Sequence, residues 1–153
     1  MRTTAIDGSI LIEGRAHLSR PHDEVIDRIL DPSTWPLWQP EIVSTKGPAR
    51  LQQGDSVEGR ADMLGFVVAG RSTAVEVGPD RFEEDVVVGV RMRIRYEVAP
   101  TPGGCELIQV LTADLPEGVA GRVLSFLLRR RLERMQAEAL ENLVAQCEAE
   151  TSV

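Results

Sequence analysis

The chain has 153 residues, the size of one domain, and its 42% hydrophobic and 27% charged residues strike an ordinary globular balance. A formal net charge of −7 repels phosphate backbones and anionic headgroups, so nucleic acid is not an expected partner. Aromatics make up only 4%, which makes the place of each ring informative.

In chain order, the first eight residues lack the long apolar run of a secretory leader, which points to the cytoplasm. Ser9 to Leu18 alternates as a strand, with Ile10, Ile12, Gly14, Ala16 and Leu18 on one face. Ser19 is a candidate N-cap and Pro21 suits the first turn of a short helix carrying Val25, Ile26, Ile29 and Leu30 at helical spacing. Asp31-Pro32 stops that helix, and a second short helical piece holds Trp35 and Trp38 until Pro40.

From Glu41 to Asp114 short alternating strands are separated by turn signals, the pattern of an antiparallel meander. The breaks fall at Gly47-Pro48, Gln53-Gly54-Asp55, Gly78-Pro79-Asp80 and Pro100 to Gly104. Leu115-Pro116-Glu117-Gly118 then opens a proline-free run of helix formers to about Glu148.

One hairpin can be read to its register. A tip at Val88-Gly89-Val90 sets Asp85 against Arg93 and Glu83 against Arg95, two opposite-charge cross-strand pairs. Phe82, Val86, Met92, Ile94 and Tyr96 then share the concave side. The same register turns Glu84 inward beside Ile94, where a lone carboxylate is costly. A bulge or an edge position would instead leave Glu84 wet. Glycines inside strands, at Gly14, Gly59 and Gly70, mark bulges or sharp bends of a curved sheet.

Conventional chemistry leaves no trace. His17 and His22 are the two histidines, and neither they nor Cys105 and Cys147 have metal-ligand or redox spacing. Phosphate loops, dinucleotide fingerprints and nucleophile elbows are missing too. No metal or other cofactor is expected, and no disulfide is demanded by the spacing. The apolar stretch Val123–Leu128 is too short to span a bilayer and runs into Arg129-Arg130-Arg131, so no stable membrane insertion is expected.

The ordered set of segments resembles the SRPBCC superfamily, which includes START-type lipid carriers and birch-pollen-allergen-like proteins. The polyketide cyclase/dehydrase-like bacterial proteins are the nearest group. The resemblance rests on Pro21, on the segment Asp31-Pro32-Ser33-Thr34-Trp35-Pro36-Leu37-Trp38-Gln39-Pro40-Glu41-Ile42, on the turn Pro100 to Gly104, and on Leu115-Pro116 before the last helix. It covers about residues 8 to 148. It implies one α+β helix-grip domain over residues 1–153: a curved antiparallel sheet of about seven strands around the terminal helix, with two short helices after the first strand.

A pocket between sheet and helix follows from that fold. The expected lining is Trp38, Met63, Phe66, Met92, Ile94, Tyr96, Leu127 and Arg131, with Glu84 as a candidate acid or base. Small residues at Val57, Ala61, Val68 and Ala69 leave volume, and methionines give adaptable walls. The two tryptophans close the core, or one ring also walls the pocket. On the terminal helix, Leu124, Leu128, Leu132, Met135, Ala139 and Leu143 form the apolar face, with Ala120, Val123 and Leu127 to one side. That face bends round the pocket or meets a partner subunit, which leaves a homodimer open. Arg131 lies nearest the apolar face, where it holds an anionic ligand group or snorkels out. The reading favoured is a binding or carrier protein for a small apolar or amphipathic molecule, without catalysis. The alternatives are a cyclase- or dehydratase-like enzyme on a polyketide-type substrate, and an interaction module using the terminal helix.

Overall fold

The structure is a computed structural model that describes residues 2–6, 8–63, 65–115 and 119–149. Eight strands form one antiparallel sheet: β1 (Arg2–Ile6), β2 (Ser9–Leu18), β3 (Ile42–Lys46), β4 (Ser56–Met63), β5 (Phe66–Val77), β6 (Arg81–Val87), β7 (Arg91–Thr101) and β8 (Gly104–Asp114). Their spatial order is β1-β2-β8-β7-β6-β5-β4-β3, so only β1 and β3 are edges. Between β2 and β3 lie α1 (His22–Ile29), a 3₁₀ turn at Pro32–Thr34 and α2 (Trp35–Trp38). The long helix α3 (Val119–Ala149) packs against β2 and α2, which makes the arrangement a helix-grip. Among the described residues no helix is long and apolar enough to cross a membrane.

Alternation explains the strands. In β2, Ile10, Ile12, Gly14 and Leu18 are buried while their neighbours are partly or fully exposed. The β6–β7 hairpin has the register expected from its charges: Asp85 pairs with Arg93, Glu83 with Arg95 and Phe82 with Tyr96. In the β7–β8 hairpin, Gly104 has a φ of 151°, and a Cβ there would lie 2.0 Å from the Leu18 carbonyl oxygen. No side chain can stand at that point.

Three details differ from the sequence expectation. The sheet has eight strands rather than about seven, because Arg2–Ile6 pairs along β2 from Arg2↔Glu13 to Ile6↔Ser9. The short helices therefore follow the second strand. Ser19 does not cap α1, since Pro21 occupies the cap position. The Ser19 N–H donates instead to the Glu148 carboxylate at 2.7 Å, tying the end of β2 to the end of α3.

The third difference concerns α3. From Leu128 onward its inner face is as expected: Leu128, Leu132, Met135, Ala139 and Leu143 are buried, joined by Gln136, Leu140 and Cys147. The first turns depart from it. Val123, Leu124 and Leu127 are exposed, because no described element covers that end of the helix. The side chain of Ala120 lies outside the described residues.

Candidate functional site

Sheet and helix leave a cavity of about 80 Å³ between them. Six elements supply its apolar wall: Trp35 from α2, Ile42 from β3, Val57, Ala61 and Met63 from β4, Val86 from β6, Met92 and Ile94 from β7, and Met135 from α3; Val88, from the β6–β7 turn, completes it. Four buried polar residues interrupt this wall: Gln39, Glu41, Ser72 and Glu84. By the yardstick of roughly 10–15 Å³ per water, the space admits several waters or one fragment-sized molecule.

Glu84 reaches the cavity because its strand is central and its register is fixed. β6 lies between β5 and β7, so the residue has no edge to escape from. A bulge does occur nearby, in β5 between Ala74 and Glu76, but Glu84 itself stays opposite Ala74 and Ile94. It is 5% exposed. The inward reading therefore holds and the solvated one does not. Burial pushes its carboxyl up to about 8, and the neighbouring Ser72 hydroxyl offsets only part of this. At neutral pH Glu84 is mostly a neutral acid, able to donate one hydrogen bond and accept others.

Glu41 is the second acid on the wall, and sequence reasoning missed it. It follows Pro40 at the exit of α2, and its backbone carbonyl accepts from Asp62 N–H of β4 at 2.8 Å. That bond draws the turn onto the sheet and leaves Glu41 6% exposed. Its Oε2 has no hydrogen-bond partner among the described residues. Burial raises its carboxyl to about 7; its own backbone N–H and Arg131 pull it down, and Glu138 pushes it up. The available signal was an acid inside the apolar block Trp35-Pro36-Leu37-Trp38-Gln39-Pro40-Glu41-Ile42-Val43, which a residue flanked by proline conceals as a turn.

Of the residues singled out from the sequence, Met63, Met92, Ile94 and Glu84 come together on the cavity. Trp38 and Tyr96 lie behind it. Tyr96 stacks on Phe82 at 5.8 Å and stands perpendicular to Trp38 at 6.3 Å. Burial holds the Tyr96 phenol well above its usual range, with Glu84 adding to the effect and Gln109 opposing it. The ring that borders the cavity is Trp35, whose indole N–H donates to the Ile29 carbonyl at 2.9 Å. Phe66 and Leu127 stand apart: they are 72% and 49% exposed. Phe66 pairs with Met63 but sits at the tip of its hairpin, where no described residue covers it. Arg131 is held at the rim, donating from Nη2 to the Asp62 carbonyl at 3.1 Å. Of the small residues, Val57 and Ala61 open the cavity, while Ala69 is exposed and Val68 is half-buried outside it.

The backbone arrangement has close counterparts among solved structures. The Zhui aromatase/cyclase from Streptomyces sp. R1128 superposes with a TM-score of 0.83 at 12% identity, over 95% of this chain and 97% of that one. The di-domain ARO/CYC StfQ from the steffimycin biosynthetic pathway gives a TM-score of 0.76 at 18% identity over 95% of this chain. This chain spans about half of that protein, 52% of its length. A START superfamily protein from Mycobacterium smegmatis gives 0.69 at 17% identity, over 89% of this chain and 97% of that one. At such identities these likenesses speak for the fold alone. No curated protein matches the sequence. The family described as "Polyketide cyclase / dehydrase and lipid transport" matches residues 9–148, nearly the whole chain, and the protein belongs to that family, within the SRPBCC superfamily.

Proposed function

We propose that the protein binds and carries a small apolar or amphipathic molecule in the cavity between sheet and helix. One observation carries this reading: a cavity of about 80 Å³, open at a rim that includes Arg60 and Arg71, lies between sheet and helix, and two buried carboxyls face it. Protein interiors are close-packed, and an unpaired buried acid costs stability. A domain whose cavity wall served only packing would fill that space with side chains and dispense with the acids. Met63, Met92, Ile94 and Met135 would form adaptable walls for the ligand, with Glu84 and Glu41 as its polar contacts. The test is native mass spectrometry of freshly purified protein beside an Ala61→Leu variant, which fills the cavity. A ligand retained by the parent and lost from the variant supports the reading. Each protein at its own bare sequence mass, with no added small molecule shifting the melting of the parent alone, would overturn it.

A second reading is favoured by one specific feature. Glu84, raised to about 8, keeps its proton at neutral pH and so suits a general acid in a cyclase- or dehydratase-like reaction on a polyketide-type substrate. Turnover lost in Glu84→Gln, with binding retained, would select this reading over a pure carrier.

A further inference from the structure

We propose that the cavity selects an apolar molecule whose polar end donates hydrogen bonds, a hydroxyl or an amine, over one that ends in a carboxylate. This rests on the reading of the cavity as a ligand site and specifies its head-group chemistry. Two of the four buried polar residues on the wall are carboxylic acids, and Glu41 Oε2 is a buried acceptor without a donor among the described residues. An unfilled buried acceptor is costly, and a ligand N–H or O–H would recover that cost.

The positive groups sit at the exposed rim. Arg60 and Arg71 border the cavity from exposed residues. Arg131 is held by the Asp62 carbonyl and from there draws the Glu41 carboxyl down, while Glu138, also on α3, pushes it up. A buried anion would thus meet two acids and no buried cation. Glu41, held near 7, is about half ionised at neutral pH and in that form only accepts. Glu84, the more strongly raised of the two, donates one hydrogen bond and accepts through its carbonyl oxygen while protonated, and accepts through both oxygens on losing its proton.

Four probes with one apolar body isolate the head group: toluene, benzyl alcohol, benzylamine and benzoate. Affinities are measured by ligand-observed NMR at pH 7 on the parent, Ala61→Leu and Glu41→Gln. The expected order places the alcohol or the amine at least tenfold above benzoate and severalfold above toluene. All of this binding should disappear in Ala61→Leu. Glu41→Gln should close most of the gap between amine and benzoate while the melting curve stays cooperative. The pH separates the two donor classes. An ammonium that displaces the carboxyl proton binds more tightly between pH 6 and 8, whereas an alcohol changes little. Equal affinity for all four probes, still lost in Ala61→Leu, would overturn the head-group preference and leave the ligand cavity standing. Tighter binding of benzoate would do the same. Binding of none of them to the parent, or binding unaffected by Ala61→Leu, would remove both.

Discussion

Arg93 holds Asp85 across the β6–β7 hairpin through two hydrogen bonds, Nε to Oδ1 at 2.7 Å and Nη2 to Oδ2 at 2.9 Å. This pair sits on the outer side of the sheet. Because successive side chains of a strand alternate, fixing Asp85 outward fixes Glu84 inward. The surface ion pair and the buried acid are two consequences of one register.

The buried acid predicts a pH dependence. Unfolded, Glu84 titrates near the ordinary value of 4.5; folded, it is raised to about 8. Between those values the folded state keeps a proton that the unfolded state has lost. Stability is therefore fullest below the unfolded value and falls as pH rises toward about 8. Glu84→Gln removes this slope. Relative to their difference at pH 4.5, the variant should gain on the order of 3 kcal/mol over the parent at pH 8, read by urea denaturation at both pH values. Parallel curves for parent and variant would mean that Glu84 is solvated.

The outer pair predicts a smaller effect. Both partners are largely exposed, so Arg93→Ala should cost only about 0.2–1 kcal/mol, and most of that loss should vanish at high salt. Thermal melts at low and high ionic strength measure both numbers. A loss well above this range would show that the pair governs register as well as surface energy.

Two leucines test the inner face of α3. Leu132 is fully buried, so Leu132→Ala should cost about 2–5 kcal/mol. Leu127, half exposed and five residues earlier on the helix, should lose no more than about 0.5 kcal/mol on the same change. Chemical denaturation of the two variants side by side gives the comparison. Equal losses would bring Leu127 back into the core.

Gly104→Ala should be among the most damaging single changes. A Cβ at this position meets the Leu18 carbonyl oxygen at 2.0 Å, and the φ of 151° is itself unfavourable for a side chain. The β7–β8 hairpin would have to move away from the end of β2, costing on the order of 3 kcal/mol or more. Loss of soluble expression or a strongly lowered Tm is the expected result. Gly103→Ala, with open space around its position, serves as the control and should be nearly silent.

The local patterns that determine a strand or a turn are short, and they were legible. Period-two alternation gave β2 its inner face from Ile10 to Leu18, and the charges flanking Val88-Gly89-Val90 gave the β6–β7 register. Those patterns also put Met63, Met92 and Ile94 on one concave surface. Only the tertiary structure decided what that surface faces. Whether Glu84 is wet or buried depended on β6 lying between two other strands, a matter of sheet order. Glu41 entered the cavity through a backbone bond to Asp62, twenty-one positions along the chain, which no local pattern encodes. Leu127 and Leu132 are both leucines on one helix, and what separates them is how far the sheet extends beneath it. Sequence periodicity specifies which side chains share a face. Burial is set by the elements that cover that face, and those contacts join residues far apart in the chain.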